Sequence, residues 1–327
     1  MRAEILKLLN GEKSSSTPAF SGLIHVTAEG LKSEGLSLKE IHHDAHKMAK
    51  AAASTFKLTG MPSAALPLDL CSPAEALGAD LIFYDDEEMQ FPQVKKLLFQ
   101  STKEIRALEN SDWKKGRIDL ICDAIRLVKK DIGEHVVISG IIPGPYTLMI
   151  YICKVQNLFG EMKKEPQLVL DALSQLSSFL AEIGNAYLQA GADFITIHEM
   201  GGSPGFIGPA KFEQFVLPPL QTLHKKLNGV RVLSVCGKTD AAMNLLAQAG
   251  ADAISVDQLT DLNTARAELK DVLLFGNLDP VSVLWQGDES MVTEAVQKAK
   301  EAGVDAVWPG CDMVIQTPVQ NIKEFLA

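Results

Sequence analysis

The sequence lacks the features that would place a protein in a membrane, in a secreted fold or on nucleic acid. No run of about 18 uninterrupted apolar residues occurs, so we expect no transmembrane helix. The first residues do not open a signal peptide, because the apolar stretch is short and acidic residues interrupt it. Arginine is scarce, with six residues, and the net charge is −10, which argues against a nucleic-acid surface. These absences predict a cytoplasmic protein.

Cysteine is also sparse, and its arrangement excludes a disulfide framework. The five cysteines are scattered, odd in number and contain no Cys-x-x-Cys pair, which is typical of free thiols in a reducing compartment. Cys122 and Cys153 lie inside helical patterns, so we expect them to pack as small core residues. Cys236 and Cys311 differ, because each directly follows an apolar strand and lies beside a glycine.

A repeated pattern organises the second half of the chain. Three segments, 191–199, 250–257 and 303–311, begin with Gly-(Ala/Val)-Asp and continue into a short apolar run, and each follows a helical segment. The glycine suits a helix C-cap, where a left-handed residue without Cβ is favoured. With two further apolar strands at 232–237 and 272–280, the pattern predicts βα units and a parallel sheet. We interpret residues 1–327 as one α/β barrel domain with a short N-terminal extension.

The N-terminal part yields further predictions. Phe20–Val26 is expected to be a strand, and residues 78–84 resemble a fourth Gly-Ala-Asp strand. His42, His43 and His46 are close in sequence, but we interpret them as surface residues of a helix spanning 38–58 and not as a metal site.

The predicted strand ends carry residues able to bind a metal. In a parallel barrel the C-terminal strand ends meet in one mouth, and here they carry His198, Glu199, Cys236, Asp257, Asp279 and Cys311. Two thiolates suit tetrahedral Zn²⁺. Because strand residues alternate sides, only one of His198 and Glu199 is expected to face the mouth. Either is a candidate third ligand, with His25 behind them, and Glu199 could instead cap the loop at Ser203.

The remaining candidates are polar residues at two later strand ends. Glu199 and Asp257 are the candidate catalytic carboxylates, while Asn277 and Asp279 are candidates for contacting a cofactor. Asp257 and Asp279 could also hydrogen-bond backbone or orient the metal's ligands. For Asp279, which precedes Pro280, we favour a structural role.

Several motifs in order resemble the uroporphyrinogen decarboxylase superfamily. They are the acid-bearing strand followed by residues 206–215 (FIGPAKFEQF), Cys236-Gly237, residues 250–257, residues 276–280 (GNLDP) and Pro309-Gly310-Cys311. The stretches at 44–49 and 75–79 agree, so the resemblance covers nearly the whole chain. It implies a TIM (β/α)8 barrel with its site in the C-terminal mouth.

Within that superfamily the chain is similar to the methylcobamide-dependent methyltransferase branch, which includes methylcobamide:coenzyme M methyltransferase. That branch holds zinc through a His-x-Cys on one strand and a later Cys. Cys236 and Cys311 match the two thiols, but Ser234 stands where the branch has its imidazole. The resemblance implies a Zn²⁺ cofactor, a methylcobamide carried by a partner corrinoid protein, and a small-molecule methyl acceptor such as coenzyme M or tetrahydrofolate.

Two other functions remain open at this point. One is a decarboxylase-type lyase, although no arginine lies between Arg2 and Arg106 to bind the substrate carboxylates, where the decarboxylase itself has an Arg-rich motif. The other is a non-catalytic corrinoid- or metal-binding barrel that lost its activity with the change to Ser234.

Overall fold

The computed structural model describes residues 1–12, 16–108 and 113–327, and its centre is a parallel sheet surrounded by helices. Seven parallel strands form this sheet in the order β1-β4-β5-β6-β7-β8-β9, and two short strands, β2 and β3, form a separate antiparallel pair. The strands are β1 (Ser63–Leu66), β2 (Leu81–Ile82), β3 (Gln93–Val94), β4 (Val137–Pro143), β5 (Phe194–Glu199), β6 (Val230–Val235), β7 (Ala253–Val256), β8 (Leu273–Leu278) and β9 (Ala306–Pro309).

Helices connect the strands and cover the outside of the sheet. The α-helices are α1 (Arg2–Leu9), α2 (Ala28–Ser33), α3 (Ala45–Thr59), α4 (Ser72–Ala76), α5 (Ile118–Ile132), α6 (Pro145–Ile152), α7 (Val155–Lys164), α8 (Pro166–Ala190), α9 (Pro204–Ile207), α10 (Pro209–Lys211), α11 (Leu217–Lys226), α12 (Met243–Leu246), α13 (Leu262–Glu268), α14 (Glu289–Glu301) and α15 (Val319–Leu326). A π-helical turn, Phe212–Val216, joins α10 to α11. In the part of the chain described, none of the helices is both long and apolar enough to cross a membrane.

The segment between α1 and α2 closes the sheet into a barrel. Ala19 forms a single parallel bridge with Val307 of β9, and on the other side the Ser21 N–H donates to Ser63 Oγ of β1 at 3.0 Å. The predicted TIM-barrel class is therefore confirmed. The predicted strand Phe20–Val26 is wrong over its whole range, because the chain bends at residues 22–23 directly after the bridge at Ala19 and directs Phe20 into the barrel interior. Since β1 and β4 share one sheet with β5–β9, we retain the interpretation of one barrel domain.

The aspartates of the three repeated segments tie neighbouring strands together at their N-terminal ends. Each carboxylate accepts a hydrogen bond from a backbone N–H of the preceding strand, 2.8 Å for Ile138 to Asp193, 2.9 Å for Arg231 to Asp252 and 2.8 Å for Leu274 to Asp305. Each also pairs with an arginine at 2.8 Å. The preceding glycines have positive φ, as expected for caps. The repeat is therefore a structural device that sets strand register.

Aromatic side chains fill the barrel interior below the mouth. Phe20 lies 5.2 Å from Trp308, centroid to centroid, and packs with Phe194 and Phe275. Helix α1 adds buried apolar side chains to this cluster. Gly22 is required there, because a Cβ would lie 2.5 Å from Trp308 Cη2. The described interior is a packed core, so a ligand reaches the C-terminal strand ends from the mouth and not through the barrel.

Two N-terminal predictions are wrong. Residues 78–84 contribute only β2, which pairs with β3 outside the barrel, because the acidic residues 85–88 that follow are exposed and not part of a barrel wall. His42 is 1% exposed and lies 3.7 Å from Asp69, whereas His43 and His46 are exposed as expected. The reason is that α3 begins at Ala45, and the 3₁₀ turn before it directs His42 inward.

Candidate metal centre

Three side chains at the barrel mouth form a compact group of one imidazole and two thiols. His198 Nε2 lies 3.1 Å from Cys236 Sγ and 3.8 Å from Cys311 Sγ, and the two sulfur atoms are 3.2 Å apart. Among the described residues, these three form the one cluster of His, Cys, Asp or Glu side chains that is compact enough to hold a metal ion. The residues are widely separated in sequence, so the fold alone brings them together.

Strand geometry explains the convergence. His198 is the penultimate residue of β5 and pairs in register with Ser234 of β6. Cys236 follows Ser234 by two residues, on the same side of the strand. Cys311 lies just after β9 and reaches Cys236 because the sheet closes on itself. His198 and Cys236 are buried, and Cys311 is partly exposed toward the mouth.

The dimensions and chemistry of the group fit zinc. With Zn–S near 2.3 Å and Zn–N near 2.0–2.1 Å, tetrahedral ligands are about 3.6–3.8 Å apart. The observed separations of 3.1–3.8 Å need shifts of only about half an ångström, within reach of side-chain rotation. Three protein ligands leave a fourth position free, which is typical of catalytic zinc sites.

Charges within the group favour deprotonated sulfur. The hydrogen bond from Cys236, together with one from the His198 ring, lowers the pKa of Cys311 well below its ordinary value. The same Cys236–Cys311 hydrogen bond, together with burial, raises the pKa of Cys236. Burial lowers the pKa of His198, but the Asp312 carboxylate and the Cys311 thiolate outweigh it and raise the pKa to about 9. The metal-free site therefore resembles a thiolate–imidazolium pair.

Asp312, which the sequence reasoning did not single out, lies next to the imidazole. Its Oδ2 is 3.7 Å from His198 Nδ1, a distance at which the charges interact without a hydrogen bond, and its Oδ1 accepts from the Ile24 N–H at 2.8 Å. His198 Nδ1 has no hydrogen-bond partner among the described residues. Burial raises the pKa of Asp312 to about 6 despite the opposing His198 charge. A carboxylate behind a metal-binding imidazole is a common orienting arrangement. Its position directly after Cys311 was the available sequence signal.

Glu199 points to the other side of β5 and contacts the start of α6. Its Oε1 accepts from Thr147 Oγ1 at 2.5 Å and from the Gly202 N–H at 2.9 Å, and its Oε2 accepts from the Tyr146 N–H at 3.1 Å. The carboxylate is buried and its pKa is raised by that burial. Glu199 is not part of the imidazole–thiol group, and its contacts match the loop-capping alternative.

The other candidates lie in the surrounding loops. Asp257 is 5% exposed and accepts from the Leu259 N–H at 2.9 Å, and burial raises its pKa. Asn277 donates to the carbonyls of Asp257 and Thr260, while Asp279 accepts from the N–H groups of Val281 and Ser282. The structure thus places all three in loop-shaping contacts around the mouth.

His25 does not join the metal group. Both of its ring nitrogens lie within hydrogen-bond distance of backbone carbonyls, 2.7 Å from Leu23 and 3.1 Å from Ser63. Cys122 and Cys153 are buried away from the mouth, 4% and 1% exposed. Their pKa values are raised by burial, to about 11 and about 12, which suits the packing role expected of them.

A cavity of about 370 Å³ opens beside the metal group. Its lining residues include Ile24, Asp312, which approaches His198, and Met200, which directly follows Glu199. A larger cavity of about 770 Å³ lies at the opposite end of the barrel, lined by the Arg231–Asp252 and Arg266–Asp305 pairs of the strand clamps. The smaller cavity is the one next to the candidate chemistry.

Comparisons with known proteins identify relatives over the full chain. The uroporphyrinogen decarboxylase (URO-D) family matches residues 2–327. Methylcobamide:CoM methyltransferase MtbA of Methanosarcina acetivorans is 29% identical over 328 residues, covering 99% of this chain and 96% of that protein. Its counterpart from Methanosarcina mazei is 30% identical over 303 residues, covering 92% and 88%.

A solved structure agrees with these relatives. A methyltransferase from Methanosarcina mazei superposes with a TM-score of 0.91 at 26% identity, covering 99% of this chain and 96% of that chain. The relatives are transferases, so the family resemblance and the enzyme class predicted from the sequence are both confirmed.

Proposed function

This chain belongs to the uroporphyrinogen decarboxylase family, and we propose that it is a zinc-dependent methyltransferase. Its methyl donor would be a methylated corrinoid carried by a partner protein, and its methyl acceptor a thiol. The observation that carries the proposal is the group of His198, Cys236 and Cys311 at the barrel mouth. The names of the full-length relatives support the corrinoid donor and the thiol acceptor.

The imidazole of the site would come from a different strand than the sequence pattern suggests. Ser234 occupies the position at which the methyltransferase branch is expected to carry histidine, and His198 is its register partner on β5. An imidazole at 198 can therefore serve the site that an imidazole at 234 would serve. Ser234 Oγ itself has no hydrogen-bond partner among the described residues.

The protein side chains have distinct parts in this chemistry. Zinc bound here would lower the pKa of an acceptor thiol and hold it as a nucleophilic thiolate. Cys236 and Cys311 supply two negative charges for the ion, and His198 supplies a neutral nitrogen. The Asp312 carboxylate, 3.7 Å from Nδ1, would favour a proton on that nitrogen and so leave Nε2 free to face the sulfur atoms and the ion. Glu199 orients the loop after β5 through its three hydrogen bonds.

A decarboxylase activity is less consistent with the mouth. Binding several substrate carboxylates needs guanidinium or ammonium partners. Among its described lining residues the cavity beside the metal group contains no lysine or arginine, and it includes Asp69 and Asp312. The thiol pair would also have no part in that reaction.

The proposal is tested by metal analysis together with the visible spectrum of the corrinoid. Purified protein should contain about one zinc per chain, and methylcobalamin incubated with it and a thiol should convert from the methyl-Co(III) to the Co(I) spectrum. A metal-free protein that decarboxylates a porphyrinogen would contradict the proposal. No spectral change with coenzyme M, homocysteine or tetrahydrofolate would contradict the transfer step.

A further inference from the structure

We propose that the 370 Å³ cavity beside Asp312 holds the non-reacting part of the methyl acceptor, and that this part is apolar, carries no negative charge and is larger than a two-carbon chain. This inference rests on the proposed function, since it assumes that an acceptor sulfur atom binds at the His198–Cys236–Cys311 group. On this inference the chain prefers a different methyl acceptor from the relatives whose names specify CoM, which is a short thiol ending in a sulfonate.

The position of the cavity makes it suitable for a molecule attached to that sulfur atom. Asp312 lines the cavity, and the same residue lies 3.7 Å from His198 and directly follows Cys311. Tyr151 lines the cavity as well, and burial, with Cys71, Asp312 and Glu199 nearby, raises the pKa of its hydroxyl. Asp312 thus separates the metal group from the cavity by a single side chain, so the rest of an acceptor bound through sulfur would extend past Asp312 into the cavity.

The size of the cavity exceeds what a small thiol needs. Its volume of about 370 Å³ falls within the range of pockets that hold drug-sized ligands. A thiol with two carbons and a sulfonate would leave most of this space to water.

The charge of the lining disfavours an anion. No lysine, arginine or histidine is present among the described residues that line the cavity, and Asp69 and Asp312 are. Arg117 contacts Asp69 from outside the cavity, but its guanidinium already pairs with Asp69 at 2.9 Å and Glu75 at 2.7 Å. A sulfonate in the cavity would therefore lose its hydration without gaining a cationic partner, which is costly.

The walls instead offer apolar surface and neutral amides. Phe91, Tyr151, Met89 and Met200 supply aromatic and thioether contacts, and the amides of Gln93 and Gln316 lie at the rim. Met89 has a φ of +50°, and no other non-glycine residue in the described part of the chain has a positive φ. Such a conformation is unfavourable for most residues, and it is found at ligand sites more often than elsewhere.

A matched series of thiols tests the inference on the metal-loaded protein. The members are 2-mercaptoethanesulfonate, 2-mercaptoethanol and 2-phenylethanethiol, which share the reacting end and differ only in charge and bulk. Binding is measured on Co²⁺-substituted protein through the change in its visible absorption bands when a thiolate binds the cobalt. Each dissociation constant is corrected for the fraction of that thiol that is deprotonated at the assay pH. We expect the phenyl thiol to bind at least about tenfold tighter than the sulfonate, because burial of a ring contributes that much.

Two variants assign the preference to this cavity. Phe91→Ala should weaken the phenyl thiol several-fold and leave the sulfonate unchanged. Phe159→Ala, which truncates an exposed phenylalanine outside the cavity, is the matched control and should change neither. Gln316→Lys places a cation at the exposed rim and should improve sulfonate binding relative to the phenyl thiol.

The outcomes separate this inference from the proposed function. If the thiols perturb the cobalt spectrum and the sulfonate binds as tightly as the phenyl thiol or tighter, the inference is overturned and the thiol-binding metal site stands. If cobalt binds and no thiol perturbs its spectrum, both fail. If the phenyl preference persists in Phe91→Ala and Gln316→Lys leaves sulfonate binding unchanged, the cavity is not the acceptor site.

Discussion

Replacing His198 by alanine is the sharpest test of the metal centre, because the expected effect depends on pH in a calculable way. Zinc binding to four-ligand structural sites amounts to about 10–16 kcal/mol, or roughly 3–4 kcal/mol for each ligand. At a pH where the imidazole is already neutral, loss of His198 should therefore weaken zinc binding by a factor of roughly 10² to 10³.

At neutral pH the effect should be smaller. The pKa of His198 is raised to about 9, so at pH 7 the metal-free wild-type protein must release a proton before the ring can bind zinc. Two pH units correspond to about 2.7 kcal/mol. The alanine variant lacks this imidazolium, but it also lacks the hydrogen bond that lowers the pKa of Cys311, so part of the same proton release moves to the thiol. The ratio of wild-type to variant affinity should therefore rise between pH 7 and pH 9, by at most about 50-fold.

The assay is zinc titration against a competing chelator at both pH values, with circular dichroism as a check on folding. Glu199→Gln is the control, because it changes the adjacent buried residue on the other face of β5. A variant that binds zinc as tightly as the wild type at pH 9 would refute the role of His198, and a large zinc loss in Glu199→Gln would assign the ligand to Glu199. The double variant His198→Ser/Ser234→His should recover part of the affinity, since the two positions are register partners.

Three further predictions follow from the same contacts. Cys311→Ser should lose stoichiometric zinc in elemental analysis, because a neutral hydroxyl replaces a thiolate; retention of one zinc per chain would contradict the assignment. Glu199→Gln should lower the free energy of unfolding by about 1–3 kcal/mol in urea titrations, because an amide cannot accept all the hydrogen bonds that the carboxylate accepts; unchanged stability would argue against the loop role. The pKa values of His42 and His224 are lowered by burial to about 4, so the unfolded chain binds more protons below pH 6.5. Stability should therefore fall between pH 6.5 and 4, by about 3 kcal/mol for each histidine, and a flat urea midpoint over that range would contradict the burial of these rings.

Features that depend on local sequence were predictable. The Gly-Asp segments determine helix ends and strand starts through the left-handed glycine and the short apolar run after it, so the parallel barrel could be expected without coordinates. The position of Cys236 and Cys311 at strand ends was likewise visible, because strand ends of a parallel barrel meet in one mouth. The aspartate clamps on neighbouring strands were not predicted, since their partners are remote in sequence.

The choice of the side chains that face the mouth and contact each other there was decided by the tertiary structure. Alternation along β5 requires His198 and Glu199 to face opposite sides, but it does not say which one faces the mouth. That choice follows from the pairing of β5 with β6 and from the closure of the sheet, which brings Cys311 to Cys236. The sequence determined that this chain forms a barrel with two thiols at its mouth, because those properties arise from short-range patterns. Only the folded chain determined that His198 and Asp312 complete the group, because contacts across a closed barrel depend on the position of every strand.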